Sequence, residues 1–262
     1  MSTEAAGAAG ASPATPPRAA GRRARVVAQG LFETRSLLRN GEQLLVSIVL
    51  PGLALVGLAL SNTPSLGPGR RIDLATAGVL ALAVVSTAFT GQAISTGFDR
   101  RYGVLRLFGV TPLGRGGLLL GKAIAVAAVL AVQVVVLGAL GAALGWHLRA
   151  GGIVPGVITL ALGAAAFVSL AMLLAGTLRA EAVLALANLI WVVLLGLGLL
   201  LPVARLAGPL QGLATALPSG ALGEAMRASL VSGSWPWAQW GVLVLWGALA
   251  ALVTTRLFRW SA

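Results

Sequence analysis

The sequence predicts an all-α integral membrane protein, and three observations support this class. Hydrophobic residues make up 58% of the 262 residues and charged residues only 10%, which is too little polar surface to cover a soluble domain. Several uncharged apolar runs approach the roughly 20 residues that a helix needs to cross a bilayer. Alternating segments of about ten residues, the pattern of a membrane β-barrel, are absent.

The chain divides into a tail and one transmembrane domain. Residues 1–21 are mostly Ala, Gly, Pro, Ser and Thr, a composition that predicts a disordered tail. Residues 22–262 are expected to form a single domain that begins with an interfacial amphipathic helix at Arg22–Asn40, where apolar and basic positions recur with a helical period. Six membrane spans are predicted at residues 44–61, 74–97, 123–146, 153–177, 183–201 and 240–255.

Prolines and charged residues mark the limits of these spans. Pro51 predicts a kink in the first span, which neighbouring helices can accommodate. Pro155 suits the first turn of the fourth span. A tight turn at Arg179–Glu181 separates the fourth span from the fifth, Pro202 ends the fifth, and the sixth ends before Arg256.

The long segment before the sixth span has its own helical pattern. Leucines recur at helical spacing up to Leu217, and apolar residues recur again from Leu222 after the turn at Pro218. This pattern predicts two outer re-entrant half-helices, which membranes tolerate where they pack on protein or line a cavity. A flexible hydrophobic loop is the alternative.

The distribution of basic residues predicts the orientation of the chain. Only five of the 19 basic residues fall on the predicted outer side: Arg70, Arg71, Arg149, Arg205 and Arg227. The positive-inside rule therefore places both termini in the cytoplasm of a multi-pass plasma-membrane protein. The net charge of +12 is explained by contacts with anionic membrane lipids, and since no nucleic-acid-binding module accompanies it, a nucleic-acid partner is not expected.

Enzyme chemistry has little support in the sequence. Gly116–Lys122 matches most of a phosphate-binding loop, but Ala123 follows where Ser or Thr should bind magnesium, and no strand precedes it. Lys122 is better explained as an anchor of the third span at the interface. His147 lies in an outer turn, and the predicted spans contain no charged residue, so no catalytic pair is formed. We expect no catalytic residue, metal site or cofactor in this chain.

Uncharged polar residues inside the spans allow two interpretations. They could line a path for an amphiphilic substrate, or they could form interhelical hydrogen bonds, each worth about 0.6 kcal/mol. The candidates for a path are Thr87, Thr90, Gln92, Gln133, Asn188 and Trp191.

The loop between the second and third spans, Phe98–Lys122, carries five basic residues and one acid. We expect it to be a cytoplasmic handle for a partner protein. Its segments Asp99–Leu107, Thr111–Leu113 and Leu120–Lys122 resemble the cytoplasmic loop of ABC type 2 permeases, with Asp99 where glutamate is usual and Val104 where threonine is usual. The outer segment Leu217–Arg227 is similar to the segment before the last span in the same family.

The resemblance implies a cytoplasmic coupling helix that docks into a separate ATP-binding-cassette ATPase. It implies two ATPase copies, which carry the ATP and magnesium, and a second permease copy, identical or homologous. The implied function is export of a hydrophobic or amphipathic compound, such as a drug, an antibiotic or a lipid. The residues implied in coupling are Asp99, Arg100, Arg101, Tyr102, Gly103, Val104, Arg106 and Leu107.

Two other classes of function remain open at this point. A membrane scaffold or assembly factor could have the same fold without transporting anything. An intramembrane enzyme is the third class, and it would require His147 to be essential. The sequence leaves open the substrate, the direction of transport beyond the family resemblance, and whether the second permease is identical.

Overall fold

A computed structural model describes residues 21–39, 41, 45–109, 111 and 113–258, and the regular secondary structure over these ranges is helical. Residues 1–20 of the predicted tail lie outside the described residues. The helices are α1 Arg22–Arg39, α2 Leu50–Leu60, α3 Arg71–Arg101, α4 Val104–Gly109, α5 Gly114–Ala143, α6 Ala150–Thr177, α7 Ala180–Leu194, α8 Pro209–Ala216, α9 Pro218–Arg227 and α10 Trp237–Leu257.

Wider π-helical turns occur at four places in the described chain. One precedes α2, one lies inside α3, one extends α7 and one extends α9. Such turns leave an extra residue in the helical ladder and are frequent at functional sites. Their ranges are Leu45–Val49, Val85–Gly91, Leu195–Leu199 and Ala228–Ser232.

The helix α3 forms the centre of the bundle. Of its most apolar window 89% is buried, compared with 33% or less for the other helices of spanning length. The first half of α3 alternates small and branched apolar residues, which lets α2, α5, α6, α7 and α9 pack around it. The second predicted span is therefore the core of the molecule.

Five of the six predicted spans are present as helices long and apolar enough to cross a membrane. Within the first predicted span, the described residues include the apolar helix Ser47–Leu60, which is shorter than the other five. At 1.5 Å per residue this described part is about 21 Å long. Arg71 limits its extent by donating hydrogen bonds to the carbonyl groups of Leu58 and Pro64, which turns the chain back into α3.

The helix that contains the third predicted span begins before that span. The helix α5 starts at Gly114 rather than at Ala123, so the last part of the predicted loop is its first two turns. This region is helical because it packs on α1. Gly121 contacts the side chain of Gln29, and Gly30 faces Ile124.

The predicted half-helices are confirmed as the pair α8 and α9, joined at Leu217. Almost every residue of α9 is buried, against α3, α6, α10 and the π-helical end of α7. By contrast, α8 is exposed except at Ala214. The chain around α9 is therefore a packed element, and the alternative of a flexible loop does not hold.

Candidate coupling surface and intramembrane polar residues

The predicted coupling segment is a sharp turn followed by the short helix α4. The turn is made by Tyr102 and Gly103, and the φ angle of Gly103 is 74°, a value that residues with a Cβ rarely adopt. The amide of Gly103 donates to the carbonyl of Arg100 at 3.1 Å, and the amide of Leu107 donates to the carbonyl of Gly103 at 3.2 Å. The glycine thus ends α3 and begins α4.

The turn and α4 each present one large side chain to the surface. Tyr102 is 70% exposed and Leu107 is 68% exposed, whereas Leu105 is buried. Leu105 therefore attaches α4 to the rest of the chain, and Val104 is half-buried beside it. The side chain of Arg106 lies outside the described part of the chain.

An ion cluster lies at the base of the turn. The ammonium group of Lys122, on α5, is 2.8 Å from a carboxylate oxygen of Asp99 on α3 and 3.4 Å from one of Glu33 on α1. The side chain of Lys122 is only 6% exposed. Two carboxylates compensate the cost of burying this cation, so the cluster joins α1, α3 and α5 at one point.

The two arginines of the motif have different environments. Arg100 is buried, and its guanidinium donates to the carbonyl of Leu178 in the turn between α6 and α7. Arg101 is exposed, forms an ion pair with Glu181 at the start of α7, and lies 5.9 Å from the ring centre of Tyr102. Of the two, only Arg101 can be reached by a docked partner.

The structure therefore adds a second segment to the predicted surface. The turn at residues 178–181 reaches the coupling segment through Arg100 and Arg101. The acids Glu33 and Glu181 were not singled out from the sequence as parts of this surface. The available signal was charge balance, since the basic coupling segment contains a single acid and these are two of only seven acids in the chain.

Three of the predicted path residues form interhelical hydrogen bonds. The hydroxyl of Thr87 donates to the side-chain oxygen of Gln133 at 2.9 Å. The amide of Gln133 donates in turn to the carbonyl of Ser47 at 2.9 Å. The indole of Trp191 donates to the hydroxyl of Ser86, also at 2.9 Å. These bonds join α3 to α5 and α7, and they join α5 to the turn before α2. They are the interhelical hydrogen bonds that the sequence offered as the alternative to a substrate path.

The other three path candidates differ from one another in burial and in hydrogen bonding. Gln92 is buried and Thr90 is half-buried, and within the described chain the side-chain oxygen of each has no hydrogen-bond partner. Asn188 is exposed on α7, and its side-chain amide donates to the carbonyl of Leu184 at 3.0 Å. The structure does not bring the six residues onto one surface.

Arg227, another buried cation, holds the half-helix α9 in place. Arg227 donates to the carbonyls of Gly198 at 2.7 Å and Leu199 at 3.0 Å, and it pairs with Glu224 at 3.0 Å. Glu224 also accepts a hydrogen bond from the amide of Val203 at 2.8 Å. Burial lowers the pKa of Arg227 from its ordinary value, and the charge of Glu224 opposes that shift.

Together, the five long apolar helices, the amphipathic α1, the buried α3 and the half-helix α9 define a multi-pass helical membrane protein. The chain belongs to the ABC-2 type transporter family, whose model matches residues 30–231. A comparison with curated proteins gives no match.

Membership of this family assigns the general role of the chain. It is the permease component of an ABC transporter, a membrane transport subunit, and permeases of the family generally work with a partner ATPase. The match includes the coupling segment and α9.

Proposed function

We propose that this chain is the permease of an exporter for a hydrophobic or amphipathic compound. In this proposal the coupling turn, Tyr102–Leu107, which includes the start of α4, transmits the work of a separate ATPase. Two ATPase subunits would bind ATP and magnesium and grip this turn in each of two permease copies. The observation that carries the proposal is the exposure of Tyr102 and Leu107 on a turn whose base is fixed by the buried ion cluster of Lys122, Asp99 and Glu33.

The contacts around the turn support a mechanical role. A displacement of α4 pulls on the end of α3, which is bound through Asp99 to Lys122, and Lys122 in turn pairs with Glu33. It also pulls on the turn between α6 and α7 through Arg100 and Arg101. Because α3 is the core of the bundle, a tilt of its end changes the packing of several spans together, as two-state switching requires.

The exposed face of α7 is a candidate contact surface for a second permease copy. Asn188 lies there between Leu184 and Leu189, and all three side chains are exposed. A polar amide facing lipid is costly, so we place this face against the other permease copy or against the transported compound. The second copy is identical to this chain in the simplest arrangement.

The test is photo-crosslinking from the coupling turn. A photoreactive residue at Leu107 should form a crosslink to an ATP-binding-cassette ATPase, identified by mass spectrometry, and the yield should change when ATP and vanadate trap the ATPase. Leu148 is the matched control, because it is also an exposed leucine but lies in the turn between α5 and α6 at the opposite end of α5. Equal yields from Leu107 and Leu148 would refute the docking site.

Transport itself needs a second measurement. In proteoliposomes that contain the permease and its ATPase, an exported compound should stimulate ATP hydrolysis, and a Leu107→Asp variant should lose that stimulation. A scaffold without transport would show crosslinking at Leu107 but no stimulation by any compound. An intramembrane enzyme would instead depend on the exposed His147, so we expect His147→Ala to leave transport unchanged.

A further inference from the structure

A cavity of about 270 Å³ lies among α3, α6, α7 and α10, below the joint between the half-helices α8 and α9. Its walls are apolar side chains, among them Phe89, Phe167, Ile190 and Trp246. The two polar groups in its wall are already satisfied, since Thr177 donates to the carbonyl of Leu173 and the indole of Trp246 donates to the carbonyl of Ala216. The cavity therefore suits a purely apolar group.

The depth of the cavity matches one leaflet of a bilayer. On α6 its wall runs from Phe167 to Thr177, a rise of about 15 Å along the helix. That is half of the roughly 30 Å hydrocarbon core. At its other end Leu217 and Pro218, the joint of the half-helices, form part of the wall. This shape resembles a pocket for one acyl chain more than a path through the membrane.

The end of the cavity at Thr177 lies near two exposed arginines. Arg179 follows Thr177 by two residues, and Phe258 packs on Gly176, which brings the end of α10 and its Arg256 to the same end of α6. Both arginines are exposed, and among the described residues neither has a carboxylate within ion-pair distance. In the predicted topology they face the cytoplasmic leaflet, where anionic lipids concentrate.

We propose that this cavity holds one acyl chain of an anionic phospholipid, with the head group at Arg179 and Arg256. An apolar cavity of about 150 Å³ is enough to bind benzene, so this larger one has room for a longer stretch of alkyl chain. The lipid fills the space between α6, α7 and α10 and supports the joint at Leu217 and Pro218. The proposal does not depend on a partner ATPase or on the identity of the exported compound.

Native mass spectrometry of the purified, delipidated full chain, mixed with equal amounts of phosphatidylglycerol and phosphatidylcholine, tests the cavity. The unmodified chain should bind one phosphatidylglycerol in preference to phosphatidylcholine. Leu173→Trp places a larger side chain on the cavity wall and should remove this bound lipid, whereas Leu245→Trp, on an exposed position of α10, should not. Equal retention by the two variants, or no preference for phosphatidylglycerol in the unmodified chain, would overturn the proposal.

The head-group contact has its own variants. Arg179→Gln combined with Arg256→Gln should reduce the preference for phosphatidylglycerol roughly 30-fold, from about 1 kcal/mol for each basic residue near an anionic surface. Arg149→Gln combined with Arg205→Gln removes the same charge from exposed positions of the outer loops and should preserve the preference. If the two double variants behave alike, the charge has no specific role.

Trp246 provides a measurement that does not depend on the folding of the Leu173→Trp variant. Phosphatidylglycerol brominated along its acyl chain should quench the fluorescence of Trp246, which lines the cavity. The chain has seven tryptophans, so the contribution of Trp246 is the difference between the unmodified chain and Trp246→Phe. An equal quenched fraction in both would show that no acyl chain enters.

Discussion

At the scale of single residues, Lys122 makes contacts that the sequence did not indicate. The sequence suggested a lysine that anchors the third span at the membrane surface, and Asp99 was assigned to contact with the ATPase. In the structure the two side chains bind each other, and Glu33 completes the cluster. A nearly buried ammonium group between two carboxylates holds three helices together beneath the coupling turn.

Lys122→Met keeps most of the length of the side chain but removes the charge. We expect it to reduce stability by about 3 kcal/mol, because removing one member of a buried ion pair leaves its partners uncompensated. Thermal unfolding of the purified protein in detergent measures the change. Arg35→Met is the matched control, since Arg35 is an exposed basic residue of α1. Similar melting temperatures for the two variants would contradict the role of the cluster.

At the scale of secondary-structure elements, the half-helix α9 fits against the irregular end of α7. The backbone of Gly198 there has a φ angle of 92°, and its carbonyl accepts a hydrogen bond from Arg227. Gly223 faces the same carbonyl so closely that a Cβ would overlap it. Gly223 therefore permits α9 to lie close to the carbonyl of Gly198, and Arg227 on the same helix donates a hydrogen bond to that carbonyl.

Gly223→Ala is expected to destabilise the protein by about 1–3 kcal/mol, the usual cost of overpacking a core. The added methyl group must displace the carbonyl of Gly198 and weaken its bond to Arg227. Gly212→Ala is the control, because Gly212 lies inside α8 with open space around it. That change should stabilise by about 0.5–1 kcal/mol as alanine favours helix. Loss of stability in both variants would argue against the close contact.

At the scale of the whole molecule, the coupling turn and the turn between α5 and α6 lie at opposite ends of the bundle. The helix α5 separates them, with Leu107 before its start and Leu148 after its end. From the distribution of basic residues, the positive-inside rule predicts that the end with Leu107 is cytoplasmic. The proposals for the ATPase contact and for the anionic lipid both depend on this orientation.

Cysteine labelling tests the orientation directly, because the chain has no cysteine of its own. In intact cells, Leu148→Cys should react with a membrane-impermeant maleimide, and Leu107→Cys should react only after the membrane is opened. Both side chains are exposed, so a difference in reactivity reports the side of the membrane. Labelling of Leu107→Cys from outside would reverse the topology.

The sequence predicted the class of fold, the amphipathic first helix, the pair of half-helices and five spans of sufficient length. It did so because hydrophobic period and run length are local properties, readable without knowing neighbours. It did not indicate that Arg71 bonds back to the end of α2 or that α5 begins at Gly114, before the third predicted span. Both features come from tertiary contacts, since Arg71 donates to the carbonyl of Leu58 and α1 packs on Gly121.

The candidate site shows the same division. The sequence by itself determined where the basic segment Phe98–Lys122 lies, because a cluster of basic residues between two apolar runs is a linear pattern. Only the tertiary structure decided which charged side chains pair with each other and which remain available to a partner. Lys122 pairs with Asp99 and Glu33, and Arg101 pairs with Glu181, although these residues are far apart along the chain. Burial and pairing depend on elements that meet in space, and no local pattern in this sequence encodes those meetings.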